Sequence, residues 1–421
     1  MKRKFIFAFI FILLIFSTSV LGASTSNLGI SSPSALLIEA STDTIIYEKN
    51  SNVKMYPAST TKILTALLTL EKGNLTDVVT VSSEAVDELE GGYVTMYISK
   101  GEKLTVEQLL NILLVPSGNV AGNILAEYVS GSMGSFVDLM NTRAKELGCT
   151  NSHFTNTYGK HDDNHYTTAH DLYLITKAAM KYDIFREIVS KTSYVLEPTN
   201  RHSKNDRTLY STNDLLKPTS SSYYEYAIGI KTGYTSQAKD CLVSAATKDN
   251  MTLYAIMLGS EKNSSGVSYR YIDTKKLYDF GFKNYLFRTV KSKNAVVDTV
   301  EVPGGTSATK KLNVVIDNTI SALISSEDIY TSFIPTISIN KISAPISQGQ
   351  VVGSISYTIN DKIYTANLIA ETAVEKSYMF IVVDIVIVLA ILVLIRFAFT
   401  PKKRKKSKKS SKNYRNKSGL L

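Results

Sequence analysis

Apolar residues follow different spacings along this chain, and the changes of spacing divide it into parts. Residues 5–16 form an unbroken apolar run, preceded by Lys2, Arg3 and Lys4 and followed by small residues ending near Leu21-Gly22-Ala23. A basic start, a short apolar stretch and a small-residue site predict a secretory signal over residues 1–23, since the run is too short for a comfortable membrane span. Ala35-Leu-Leu-Ile-Glu-Ala40 and Ile45-Ile-Tyr-Glu48 flank the turn residues Ser41-Thr-Asp-Thr44 and predict a β-hairpin. Over residues 59–71, Ile63, Leu64, Leu67, Leu68 and Leu70 leave hardly any polar face, which predicts a buried helix. Residues 105–115 and 119–130 predict two more helices, broken at Pro116-Ser-Gly118, and Ser135 to Leu147 an amphipathic one stopped by Gly148. Leu242-Val-Ser-Ala-Ala-Thr247 and Leu253-Tyr-Ala-Ile-Met-Leu258, joined through Lys248-Asp-Asn250, predict a second hairpin, and Tyr269 to Phe280 a further helix. Strands at both ends of a helical middle imply one antiparallel sheet closed by the ends of a domain spanning 24–284, an α+β plan.

After Asn284 the spacing changes. Short alternating segments, Val296–Val300, Lys311–Ile316, Ile337–Ile339 and Val351–Tyr357, are separated by Gly, Pro and Ser turns and predict a small all-β module over 285–377. From Tyr378 to Phe399 only Asp384 and Arg396 are charged. As a helix this stretch is about 33 Å long, enough to cross a bilayer. It is apolar all round, unlike a two-faced interfacial helix.

Charge sharpens this division. The chain has 47 Lys or Arg against 37 Asp or Glu, a net +10. Ten of the basic residues lie in the tail 400–421, which has no acid; with Lys2, Arg3, Lys4 and Arg396 set aside, residues 24–395 carry −4. The basicity belongs to the ends, so no nucleic-acid-binding domain is implied. A basic cluster beside a span stays in the cytoplasm, which predicts a cytoplasmic tail at 400–421 and residues 24–377 outside. Cys149 and Cys241 are the two cysteines, each in an apolar context, and are expected as separate buried thiols.

Ser59-Thr-Thr-Lys62 brings in chemistry. Residues i and i+3 of a helix share a face, so hydroxyl and amine come within hydrogen-bond reach. A serine needs a base, and lysine can serve if its pKa falls by about three units, roughly 4 kcal/mol in favour of the uncharged form. Burial and a second cation can supply that. The pattern alone is weak: it also begins at Ser51, Ser236, Ser307 and Ser338, and a serine opening a helix is commonly an N-cap. Order and company strengthen it. Ser117-Gly-Asn119 follows at a break between helices, and Lys231-Thr-Gly233, which occurs once, follows the strand-like Tyr226-Ala-Ile-Gly-Ile230. The three together are the known signature of β-lactamases and penicillin-binding proteins.

Tyr56-Pro-Ala-Ser-Thr-Thr-Lys-Ile-Leu-Thr65, Gly101-Glu-Lys-Leu-Thr-Val-Glu-Gln108, His165-Tyr-Thr-Thr-Ala-His-Asp171 and Lys231-Thr-Gly-Tyr-Thr235 resemble the low-molecular-mass D-alanyl-D-alanine carboxypeptidases, over residues 30–282. Residues 285–375 are less specifically similar to that family's C-terminal β-sandwich. The resemblance implies a β-lactamase/DD-peptidase-like antiparallel five-stranded sheet flanked by helices, then the sandwich and a transmembrane helix. It implies removal of the terminal D-alanine from peptidoglycan stem peptides through an acyl-enzyme, with β-lactams as covalent inhibitors. Ser59 would be the nucleophile, Lys62 its base, and Ser117 a proton relay. Asn119 would hold the substrate amide, and Lys231 and Thr232 the terminal carboxylate. Gly233 would let the strand approach, and the N–H groups of Ser59 and Tyr234 would form an oxyanion hole. No cofactor and no metal are implied. Val120, Thr157, Lys160 and Lys239 depart from residues usual in the family, which bears on the shape of the pocket and the rate of deacylation.

Four rival readings stand beside this one, the first a zinc peptidase. His161, His165 and His170 cluster with Asp162, Asp163 and Asp171, but no His-Glu-x-x-His exists and Asp-Asp-Asn favours a turn. Glu197-Pro-Thr-Asn200 faintly echoes a β-lactamase's deacylating glutamate, yet lies too close to Lys231 for that layout. Endopeptidase or transpeptidase action would use the same acyl-enzyme, whereas a wall-binding scaffold without activity would not need Ser59, Lys62, Ser117 and Lys231 together.

Overall fold

The computed structural model describes residues 28–89, 98–204 and 207–399; the signal segment and the basic tail lie outside the described residues. The described residues up to Arg288, together with Ala322–Ser332, form one compact unit, and Thr289–Ser321 with the described residues from Phe333 form another.

The first unit is built on strands β1 (Ser34–Glu39), β2 (Thr44–Lys49), β3 (Ala227–Thr235), β4 (Lys239–Lys248) and β5 (Met251–Ser260), in the order β2-β1-β5-β4-β3. Every neighbour is antiparallel. Successive side chains point to opposite faces, and both faces are covered. Leu36, Ile38, Val243, Ala245, Ile256 and Leu258 enter one core, while Leu37, Leu242, Ala246, Leu253, Ala255 and Met257 enter the other. Burial on both sides is why these strands read as unbroken apolar runs rather than alternating ones.

The first core is filled by helices α1 (Lys62–Lys72), α2 (Val106–Leu114), α3 (Asn119–Ser130), α4 (Met133–Glu146), α5 (Ala169–Ala179) and α6 (Asp183–Ser190). The second lies under α7 (Tyr269–Asn284), through Leu277 and Tyr278. Helix α2 opens on a capping box between Thr105 and Gln108, and α3 ends at Gly131 with φ +75°. Helix α1 begins later than its pattern predicts, because Ala58–Thr61 form a 3-10 turn. There Thr60 Oγ1 donates to the Pro57 carbonyl and Thr61 Oγ1 to that of Ala58, bonds that compete with α-helical pairing. The strand predicted to end before Lys231 runs through it to Thr235.

The second unit carries strands β6 (Val296–Glu301), β7 (Lys311–Ile316), β8 (Thr336–Ile339), β9 (Val351–Ile359) and β10 (Lys362–Ala370), ordered β6-β7-β10-β9-β8. β10 and the segment 322–332 were not legible as such, since their polar and apolar positions follow no clean spacing. Helix α8 (Met379–Phe399) contains one stretch, Val382–Phe399, long and apolar enough to cross a membrane.

Candidate active site

Helix α1 places Lys62 at its first turn, where the side chain is fully buried. Lys62 Nζ lies 2.8 Å from Ser59 Oγ, 2.8 Å from Asn119 Oδ1 and 2.7 Å from the Tyr158 carbonyl. All three partners are neutral. An uncharged amine has two N–H donors for the two carbonyl oxygens and a lone pair for the Ser59 hydroxyl, so the geometry suits it. Burial, and then the charge of Lys231, hold Lys62 well below its ordinary 10.5. Ser59 Oγ thus meets an amine whose charged form is disfavoured, and the serine caps no helix.

Two backbone features shape this corner. Ala58 and Ser117 both adopt left-handed φ, +49° and +68°, a conformation costing non-glycine residues about 1–2 kcal/mol. Strain of this kind collects at functional sites. Ser117 sits in the Pro116-Ser-Gly118 turn, closed by Gly118 N–H donating to the Ile112 carbonyl at 2.8 Å. Gly159 packs under the Ser59 turn so closely that a Cβ would fall 1.9 Å from the Ala58 oxygen. Gly233, on β3, also packs against this turn, less tightly: a Cβ there would stand 2.9 Å from the Pro57 oxygen and 3.0 Å from Ser59 N. Only glycine permits that approach.

Ser59, Ser117, Asn119, Thr232, Gly233 and Tyr234 line one cleft of about 310 Å³. Lys231 lies buried beside it, and burial, then the charge of Arg270, push its ammonium down to about 7. Its Nζ donates to the Thr232 carbonyl at 3.0 Å. Since β3 lies at the sheet's edge, no strand pairs with its outer side among the described residues, the kind of edge that an extended peptide can join. All eight residues singled out in the sequence therefore converge.

Two cleft residues were missed. Arg270, in the first turn of α7, donates to the Gly233 carbonyl at 3.2 Å and pairs with Asp240 at 3.0 Å. Thr212 Oγ1 lies 2.6 Å from Thr232 Oγ1, and its N–H donates to the Val115 carbonyl beside the Ser117 turn. Neither belongs to a readable motif; only the packing of distant segments brings them in.

The other sequence candidates fall elsewhere. His165 is buried, its Nδ1 accepting from Thr155 N–H at 3.0 Å and its Nε2 lying 2.8 Å from Thr61 Oγ1, and burial pushes it down to about 3. It is a neutral brace under the Ser59 turn. Glu197 is exposed at the end of a short hairpin strand, Ser193–Leu196. Cys149 and Cys241 are separate buried thiols. Of the unusual positions, Val120 and Thr157 are buried, Thr157 Oγ1 donating to Asn123 Oδ1 at 2.6 Å. Lys239 begins β4 with φ +57°, which explains why glycine would be at ease there.

Comparison with known proteins agrees with this arrangement. A family model described as D-alanyl-D-alanine carboxypeptidase matches residues 22–262, and one described as Penicillin-binding protein 5, C-terminal domain, matches residues 285–376. D-alanyl-D-alanine carboxypeptidase DacF of Bacillus subtilis is 33% identical, over 79% of this chain and 83% of that one. DacC of Escherichia coli is 30% identical over 82% and 84%. A DD-transpeptidase from Streptomyces is 33% identical with a TM-score of 0.55, over 60% of this chain and 98% of its own. Penicillin binding protein 5 from Haemophilus influenzae shares the fold at a TM-score of 0.62, with 24% identity over 82% and 98%. With a buried lysine amine 2.8 Å from the serine hydroxyl that lines the cleft, and with such a match along most of its length, the chain belongs to the D-alanyl-D-alanine carboxypeptidase family of penicillin-binding serine peptidases.

Proposed function

We propose that the protein is a serine D-alanyl-D-alanine carboxypeptidase of the cell wall, with Ser59 as nucleophile and Lys62 as its base. The observation that carries this reading is the fully buried Lys62 amine, 2.8 Å from Ser59 Oγ and bonded otherwise to two neutral oxygens. Ser59 Oγ attacks the carbonyl carbon of the penultimate D-alanine as its proton passes to Lys62. The tetrahedral oxyanion lies between the backbone N–H groups of Ser59 and Tyr234, a reading supported by the closeness of Gly233 to Ser59 N. The C–N bond then breaks, and Ser117, beside Lys62's partner Asn119 in the cleft, relays a proton to the departing D-alanine amine. Asn119 holds the substrate amide. Water hydrolyses the ester by the same proton route reversed. Lys231 and Thr232 take the terminal carboxylate, with Arg270 and Thr212 behind them. A β-lactam enters as a substrate whose leaving group stays tethered, so the acyl-enzyme persists.

The apolar α8 and the basic residues after it support a membrane anchor with the catalytic unit outside and the tail in the cytoplasm. The test uses the full chain in detergent. Release of D-alanine from a stem pentapeptide and labelling by fluorescent penicillin are both expected, and both should vanish in Ser59→Ala. An adduct mapped by mass spectrometry to any other peptide would overturn the assignment.

A further inference from the structure

A larger concavity lies in the same unit, at the other end of edge strand β3. It is a cleft of about 660 Å³, lined among others by the rings of Tyr223, Tyr226 and Phe282 and by Lys248, Lys275 and Lys283. Tyr226 immediately precedes β3, and Gly233 lies seven residues on, about 23 Å away at the rise of an extended strand. This cleft is therefore separate from the catalytic one.

Its chemistry is mixed but ordered. Lys275, Asp279 and Lys283 follow one another at four-residue intervals on α7 and so share a face. Asp279 is already engaged, accepting from the Tyr224 hydroxyl at 3.0 Å. Lys248 Nζ stands 4.9 Å from the Tyr226 ring centroid. Among the described residues, no carboxylate lies within 4.0 Å of any of these three lysines. The other acid in the cleft, Glu225, is exposed. Tyr223 is 36% exposed, a large apolar surface left open beside the ammonium groups.

Electron-rich ring faces attract the C–H-rich faces of sugar rings, tyrosine hydroxyls exchange hydrogen bonds with sugar hydroxyls, and unpaired ammonium groups seek anions. We propose that this cleft binds an anionic carbohydrate chain of the cell wall, holding the enzyme on the polymer while the catalytic cleft works on its stem peptides. The choice of polymer rests on the carboxypeptidase reading; the class of ligand rests on the cleft. The anion can be a carboxylate of peptidoglycan itself or a phosphate of a polyol polymer attached to it.

The experiment measures binding of the full chain, in detergent and carrying Ser59→Ala, to insoluble wall material by co-sedimentation. One arm uses peptidoglycan stripped of attached polymers, the other wall retaining its phosphate polymers. Reversing two charges, that of half-buried Lys248 and that of exposed Lys283, in Lys248→Glu with Lys283→Glu, is expected to weaken binding about tenfold. Tyr223→Ala, which leaves the charges intact, is expected to weaken it about fivefold. Loss in both arms identifies the peptidoglycan carboxylates, and loss only in the second identifies the phosphates; either supports the proposal. Penicillin labelling of the same substitutions with Ser59 restored reports folding and should be unchanged. If the charge pair fails to label, Tyr223→Ala decides alone. Binding unchanged within twofold in both arms for every folded variant would overturn the proposal, whether or not Ser59 is the nucleophile.

Discussion

Replacing Asn119 by aspartate tests whether the reactivity of Ser59 depends on Lys62 being uncharged. The two side chains have the same shape, and Asn119 Oδ1 already receives an N–H from Lys62 at 2.8 Å. The substitution therefore changes charge more than form. At 2.8 Å a carboxylate and an ammonium attract by about 6 kcal/mol at an effective dielectric of about 20, which corresponds to about 4 pKa units. Asn119 is half-buried, so solvent screening reduces this to about 2 units. The sign follows from which form is favoured. The new carboxylate stabilises the ammonium, raises the pKa of Lys62, and delays to higher pH the appearance of the amine that takes the serine's proton. In the second-order rate of acylation by fluorescent penicillin, followed from pH 5 to 10, the acid limb should be displaced upward by about 2 units. At a fixed pH on that limb the rate falls about a hundredfold. Loss of the amide's contact with substrate would instead lower the rate equally at every pH. An undisplaced acid limb would refute an uncharged Lys62 as the base.

Gly233→Ala would push a methyl against the Pro57 oxygen, Ser59 N and Ala58 Cβ, each within 3.1 Å. Moving Ser59 N–H by a few tenths of an ångström should slow acylation about 100-fold, as loss of one oxyanion donor does; an unchanged acylation rate would remove Ser59 N–H from that role. In its proposed role of holding the substrate carboxylate, Lys231, pushed to about 7, would act only while protonated. Hence kcat/KM for D-alanine release should fall as pH rises through about 7, whereas in kcat, with the carboxylate in place and favouring the charged form, that limb should lie higher. In Lys231→Arg, which stays charged, the alkaline limb should disappear from kcat/KM.

Local information decided much of this protein. Both hairpins of the catalytic sheet, the apolar α8 and the three motifs could be read because each depends on neighbours a few residues apart: a period of two, a run long enough to cross a bilayer, a serine three positions from a lysine. The helix start was misplaced by three residues, since the hydroxyls of Thr60 and Thr61 turn back onto carbonyls of the preceding turn. Tertiary structure alone decided what makes those motifs chemical. Lys62 is stripped of water by the surrounding core and meets Asn119 across 57 residues of chain. Lys231 is depressed by burial and by Arg270, and Thr232 is touched by Thr212. A sequence pattern can place an amine beside a hydroxyl, but an amine's charge depends on how much water and which other charges surround it, and those are set by segments that meet only when the chain folds.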